Sequence, residues 1–170
     1  QRLFISPDSI KGKIVNLGND AAYRLHKVMR MAVGDEVIIL DNTGKERLVC
    51  ITSLNHRQGE GEIVSTLECL REPKSRITLC QGVLKGKKFD WVLQKGTELG
   101  IHTFIPILCE RSVPIWGTGT FDSRLPRLQK IIVEASEQSG RSVLPNLGTP
   151  RSFEDMCLAI RGKGLGLIPW

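Results

Sequence analysis

Lys85-Gly86-Lys87-Lys88 follows an apolar run and opens a helical pattern, a place where backbone N–H groups and the helix dipole already favour anions. The loop lacks the G-x-x-x-x-G-K-[ST] spacing of a nucleotide-hydrolysing site, so its chemistry suits the phosphate of a nucleic acid. Lys88, Trp91, Lys95 and Glu98 are three and four residues apart and share one helical face. An aromatic ring among lysines can stack on an unpaired base while the ammonium groups hold the backbone. The alternative is a solvated face with Trp91 partly packed on a neighbour. Glu110-Arg111-Ser112 stands at the C-terminal end of a strand-like run, where α/β sheets place ligands. Arg127, Glu134, Gln138 and Arg141 form a further stripe suited to RNA or a partner subunit, although Glu137 and Arg141 could be a simple helix pair worth about 0.3–0.5 kcal/mol. No G-x-S-x-G, H-E-x-x-H or converging carboxylate pair occurs, so an enzyme of this sequence needs a cofactor to supply its reactive group.

Two grammars position these residues, changing near Glu72-Pro73. Residues 1–72 read as short strands and turns. Leu3-Phe4-Ile5 is one strand, and Glu62-Ile63-Val64 another. Val37-Ile38-Ile39-Leu40 and Leu48-Val49-Cys50-Ile51 form a hairpin about Asp41-Asn42-Thr43-Gly44. One helix interrupts them, with Asp20 as its N-cap, Ala22, Leu25, Val28 and Met29 as its apolar face, and Gly34 beyond its end. The segment predicts a small β-barrel. After Pro73 the pattern is strand, helix, strand: residues 77–84, then a helix from Lys88 burying Phe89, Val92, Leu93 and Leu99 and closing at Gly100. Residues 103–108 return as a strand, with Pro106 suggesting an edge or bulge. A longer helix over residues 123–139 buries Leu125, Leu128, Ile132 and Ala135. Ser152 opens another with apolar face Phe153, Met156, Cys157 and Ile160, and residues 165–168 begin a last strand. Alternating units of this kind imply a parallel α/β sheet.

Composition narrows the classes. The 170 residues carry a net charge of +6 with 41% hydrophobic content, which excludes disorder and fibrous repeats. No apolar run approaches the roughly 20 residues that span a bilayer, and the N-terminus lacks the core of a secretory signal. Residues 1–72 balance 10 basic against 10 acidic side chains, but residues 11–30 hold Lys11, Lys13, Arg24, Lys27 and Arg30 against Asp20 alone. Residues 73–170 carry 14 basic and 8 acidic. A polyanion lying across both segments would suit this distribution, while solvated surface lysines and arginines would explain it equally. Five scattered cysteines (Cys50, Cys69, Cys80, Cys109, Cys157) contain no C-x-x-C pair. They imply a reducing, cytoplasmic compartment and no metal, with Cys50, Cys80 and Cys109 acting as small buried hydrophobes.

Taken in order, the motifs resemble a known family. Leu25-His26-Lys27-Val28-Met29-Arg30-Met31 followed by Gly34-Asp35 resembles the H-x-x-V-L-R-x-x-x-G-D segment of the RsmE family. The similarity continues through Lys85-Gly86-Lys87, Gln94-Lys95-Gly96-Thr97-Glu98-Leu99-Gly100, Pro106, Glu110-Arg111-Ser112, Arg127 and Glu134-Ala135-Ser136-Glu137-Gln138-Ser139-Gly140-Arg141, to Pro145. The resemblance implies a PUA-like β-barrel over residues 1–72, binding RNA, and an incomplete SPOUT α/β methyltransferase domain over residues 73–170. It implies methylation of N3 of a uridine in 16S ribosomal RNA from S-adenosylmethionine, by a homodimer working on that RNA or the small ribosomal subunit.

The family's G-P-E-G-G loop and L-G-x-R-I-L-R segment do not occur here. The expectation is therefore a domain cut short of its knot, binding the methyl donor weakly or not at all through Leu167, Ile168 and Pro169. Lys95, Glu98 and Arg111 are the catalytic candidates, with Glu98 more readily a Lys95 partner than a base. Arg24, His26, Lys27, Arg30, Lys85, Lys87, Lys88, Arg127, Gln138 and Arg141 are the candidates for RNA. A non-catalytic RNA-binding protein and a SPOUT methyltransferase for a different RNA are the alternatives.

Overall fold

The computed structural model describes residues 1–110, 118–162 and 164–168. It divides into two compact units, Gln1–Pro73 with Ser136–Leu144, and Lys74–Ala135 with Pro145–Trp170.

The first unit is a six-stranded sheet of β1 (Arg2–Phe4), β2 (Ile10–Lys11), β3 (Ile14–Leu17), β4 (Glu36–Leu40), β5 (Lys45–Leu54) and β6 (Gly59–Glu68). Its order is β1-β4-β5-β6-β3-β2, antiparallel except for β1 beside β4. The predicted hairpin forms with Val37 opposite Val49 and Leu40 opposite Glu46. Its turn is local chemistry: the Asp41 carboxylate accepts from the Thr43 amide and hydroxyl at 3.2 and 2.5 Å, and Asn42 and Gly44 take positive φ. Strand alternation turns Val37, Ile39, Val49 and Ile51 inward with Leu3, Val15, Leu17 and Leu25, all fully buried. Burying each such side chain contributes about 1.5–3 kcal/mol.

The helix in this unit departs from the reading of its sequence. Helix α1 (Asn19–Tyr23) is preceded by Gly18 in the N-cap position, not Asp20, and it runs into a π-helical turn, Arg24–Val28. There the Met29 amide reaches back five residues to the Arg24 carbonyl at 2.8 Å. The wider turn rotates Val28 outward to 67% exposure while Leu25 stays buried. Arg30 then adopts φ of 55°, a left-handed conformation that costs a non-glycine residue about 1–2 kcal/mol.

The second unit is parallel throughout. It comprises β7 (Thr78–Gly82), α2 (Lys88–Glu98), β8 (Thr103–Leu108), α3 (Thr118–Ser139, whose last turn counts with the first unit), β9 (Asn146–Leu147), β10 (Arg151–Ser152) and α4 (Phe153–Ile160). Helix α2 buries Phe89 and Leu93 and packs so closely on β8 that a Cβ at Gly96 would lie 2.6 Å from the Phe104 ring. Gly100 (φ 91°) and Gly140 (φ 75°) follow the ends of α2 and α3 as anticipated. Ser152 caps α4 by accepting from the Asp155 amide at 3.0 Å.

Pro106 is neither at an edge strand nor at a bulge, because β8 pairs with β7 on one side and with β9 and β10 on the other. Thr103 N and Ile107 O bond towards β7, whereas Phe104 O accepts from Gly148 N on the opposite side. By alternation Pro106 turns its donorless nitrogen to that opposite side. It does so where β9 has ended opposite Phe104 and β10 begins opposite Ile107. Four other expectations fail. Leu99 is 81% exposed, Cys109 is exposed, α4 buries only Met156 of its apolar face, and residues 165–168 form no strand. Apolar periodicity identified those side chains but could not supply a surface to cover them.

Candidate nucleic-acid interface

Each unit carries a basic surface on a helical segment. In the first, the π-helical turn and the strained Arg30 present Lys27 and Arg30 to solvent, and neither forms an ion pair among the described residues. π-turns and left-handed residues cost stability and concentrate at functional positions. His26 lies between these cations half-buried, its Nδ1 shielded from solvent and without a hydrogen-bond partner. Arg24, three residues before Lys27, is engaged by Glu137. Arg141 is turned inward and held by Glu72 at 3.1 Å, while the same carboxylate takes the Ser142 and Val143 amides at 2.8 and 3.0 Å. Arg141 thus anchors a loop and presents no free cation at the surface. Gln138, on the last turn of α3, is exposed.

In the second unit the loop before α2 turns through Gly86 (φ 65°) and leaves Lys85, Lys87 and Lys88 exposed. Lys87 occupies the N-cap position and makes no side-chain cap, so the positive end of the helix faces a cluster of ammonium groups without a carboxylate cap. Such a terminus is an anion site. One turn on, Trp91 is 62% exposed, aligned with Lys88 and Lys95 on the same face. The Lys95 ammonium bonds both oxygens of Glu98, at 3.0 and 2.8 Å. Arg127 of α3 pairs with Asp90 in the first turn of α2, which removes that carboxylate from competition with a phosphate. The structure therefore brings Lys85, Lys87, Lys88, Trp91, Lys95 and Glu98 onto one loop and helix. Arg111 lies outside the described residues.

Two of the residues expected at the cofactor, Leu167 and Ile168, are 81 and 80% exposed and belong to no helix or strand. Pro169 lies outside the described residues. Leu167 and Ile168 thus do not by themselves wall an enclosed adenosyl site. Among them no group of His, Cys, Asp and Glu is disposed to hold a metal ion, and no helix is long and apolar enough to cross a membrane.

What sequence reasoning missed is the set of ion pairs that engage the arginines. Arg24 with Glu137, Arg141 with Glu72 and Arg127 with Asp90 join residues 113, 69 and 37 positions apart. The only signal within reach was that each arginine lies in a segment that also carries apolar core positions.

Comparison with known proteins gives concordant matches. A family model described as "RNA methyltransferase domain" matches residues 71–170, and one described as "RNA methyltransferase PUA domain" matches residues 25–64. The ribosomal RNA small subunit methyltransferase E of Bacillus subtilis is 30% identical over 141 residues, 83% of this chain and 55% of the relative. That of Synechocystis is also 30% identical, over 95% of this chain and 51% of the relative. The chain spans about half the length of these curated relatives. Among solved structures, a putative methyltransferase of Legionella pneumophila with bound S-adenosylmethionine superposes with a TM-score of 0.85 at 27% identity, covering 92% of this chain and 65% of that one. The methyltransferase E of Neisseria gonorrhoeae bound to S-adenosyl methionine gives 0.82 at 28%, covering 91% and 64%.

Proposed function

The chain belongs to the RsmE family of RNA methyltransferases, and from that premise we propose that it serves the methylation of N3 of a uridine in 16S ribosomal RNA. The observation that carries this reading is the lysine-lined, side-chain-uncapped start of α2 with Trp91 exposed beside it, inside the stretch matched as an RNA methyltransferase domain.

Uracil N3 is a weakly acidic imide, and it must lose its proton when a methyl group is accepted. Catalysis then rests on positioning and on cations that lower the cost of the uridine anion. Lys95 and Arg111 are the proposed sources of that field, and Glu98, bound to the Lys95 ammonium through both oxygens, orients it. Lys27 and Arg30 in one unit and Lys85, Lys87 and Lys88 in the other hold RNA phosphates, with His26 and Gln138 in reach of nucleotide edges. Exposing N3 requires the uridine to leave its stack, at a cost of a few kcal/mol. S-adenosylmethionine is the methyl donor this family membership implies; Leu167, Ile168 and Pro169 are its proposed contacts here. With the first two in solvent, these residues alone bind it weakly. The protein works in the cytoplasm on 16S RNA or the small subunit and pairs as a homodimer. The apolar side chains of Phe153, Leu158 and Ile160, left exposed on α4, support a partner surface.

Mapping of modified nucleotides in ribosomal RNA after deletion of the gene tests the reading. Loss of one N3-methyluridine is expected; an unchanged methylation pattern overturns it.

A further inference from the structure

We propose that a cleft in the first unit, between the start of β5 and the bulged part of β6, is a phosphate-binding site. On the reading above, its occupant is a phosphodiester of the RNA strand. The open cleft, about 460 Å³, is lined by Lys13, Lys45 and Arg47 and by residues 63–66 of β6, so three cations gather beside the apolar Ile63 and Val64, with the Thr66 hydroxyl on the same strand. That volume falls within the range of small-ligand sites.

Arg47 is the centre of the arrangement. It stands opposite Ile39 of β4 and Thr66 of β6, and directly paired residues share a face, so its side chain leaves the sheet on the side where Ile39 enters the core. An arginine there must be held, and it is. Its Nη1 lies 2.7 Å from Asp41 Oδ2, with the two side chains 15 and 4% exposed. Asp41 is fixed in turn by the Thr43 hydroxyl and amide. A guanidinium has five N–H donors, and Asp41 is the one ion-pair partner Arg47 has among the described residues. The fork is oriented before any ligand arrives, which lowers the cost of binding one.

The backbone brings the remaining donors to it. Leu48 faces Ser65 while Val49 faces Ile63, so Val64 is an inserted residue without a cross-strand partner. The bulge bends β6 at this point, and beyond it Thr66, opposite Arg47, shares that residue's face while Ser65, opposite Leu48, takes the other. Gly12, at φ of 60°, turns the chain from β2 so that Lys13 arrives two residues before the buried Val15.

With Arg47 balanced by Asp41, Lys13 and Lys45 are uncompensated except for a loose 3.9 Å approach of Lys45 to the exposed Glu68. Two mobile ammonium groups and a fixed fork suit a tetrahedral oxyanion, which presents acceptors in several directions.

The test titrates the full 170-residue chain with uridine 5′-monophosphate and with uridine at low salt, by calorimetry and amide NMR. The nucleotide is expected to bind saturably and shift the Ser65 and Thr66 amides, and the nucleoside to do neither. Lys13→Gln with Lys45→Gln should weaken nucleotide binding at least about tenfold. Arg57→Gln, which removes one cation from the loop joining the other ends of β5 and β6, should change it less than about twofold. Equal binding of nucleoside and nucleotide, no saturable binding, or a double variant that behaves as Arg57→Gln overturns the proposal. A uridine-rich RNA oligonucleotide is titrated in parallel. If it binds wild type and double variant alike, the cleft fails while RNA binding stands; the loss of N3-methyluridine after gene deletion judges the enzymatic reading separately.

Discussion

Glu137 grips Arg24 through both carboxylate oxygens, at 2.5 Å to Nη2 and 3.1 Å to Nη1, and its Oε1 also accepts the Phe4 amide at 2.9 Å. A residue from the last turn of α3 thereby holds β1 and the π-helical turn of the first unit. Glu137→Ala should destabilise the protein by about 1–3 kcal/mol, less than a fully buried pair because Arg24 is one-third exposed. Glu137→Gln, which keeps an acceptor for Phe4, should lose less. Urea unfolding of the three proteins decides this, and a Glu137→Ala midpoint equal to wild type would show that the contact carries no stability.

Arginines and lysines of the candidate interface should separate in two assays. Lys87→Glu and Arg30→Glu are expected to weaken binding of ribosomal RNA and flatten its salt dependence by about one unit of slope per lost phosphate contact. Thermal unfolding should be unmoved in both. Arg141→Gln should do the reverse, lowering the melting temperature because Glu72 loses its guanidinium partner in a half-buried setting. An Arg141→Gln protein of normal stability and weakened RNA binding would contradict the position described for it.

Acid should find Asp41. Burial raises its pKa, but the Thr43 hydroxyl, the Arg47 guanidinium and the Thr43 amide together outweigh burial and hold the carboxyl below its ordinary value of 3.8. A depressed folded-state value means that the charge contributes stability above the unfolded pKa, near 4, and that this contribution disappears as pH falls through the lower folded value. Wild type should therefore lose stability on acidification below about pH 4 more steeply than Asp41→Asn. Urea midpoints from pH 6 to pH 2 measure this; parallel curves would refute it.

Methyl-donor binding is the third separable property. Because Leu167 and Ile168 stand in solvent, calorimetry should find S-adenosylmethionine bound to this 170-residue chain at least about a hundredfold more weakly than to the methyltransferase E of Neisseria gonorrhoeae. Equal affinities would mean that other residues of the chain form the site.

What could be read in advance was local. The Asp41-Asn42-Thr43-Gly44 turn, the Ser152 cap and the glycines after α2 and α3 each depend on residues within four positions of one another, and each formed where its chemistry put it. The parallel order of the second unit followed from its alternating units. Long-range matters were hidden. Nothing near Arg24 or Arg141 announces Glu137 or Glu72, and a 3.6-residue period cannot anticipate the single wide turn that exposes Val28. The apolar run at residues 165–168 has a strand's composition but no neighbouring strand in this structure, and composition alone does not fix pairing.

The proline in β8 protects the strand it interrupts. Thr103-Phe104-Ile105-Pro106-Ile107-Leu108 is the kind of short apolar segment that stacks into fibrils when a chain is briefly unfolded. The interval between β9 and β10 is crossed by residues 148–150, where the Gly148 amide donates to the Phe104 carbonyl. A foreign strand arriving on that side before these residues dock meets a nitrogen with no hydrogen to give, so the ladder it would extend is broken at its middle rung. Replacing Pro106 with valine would repair that rung and lengthen the uninterrupted apolar run. The penalty would fall on solubility during synthesis and refolding, with the contacts of the finished fold barely altered.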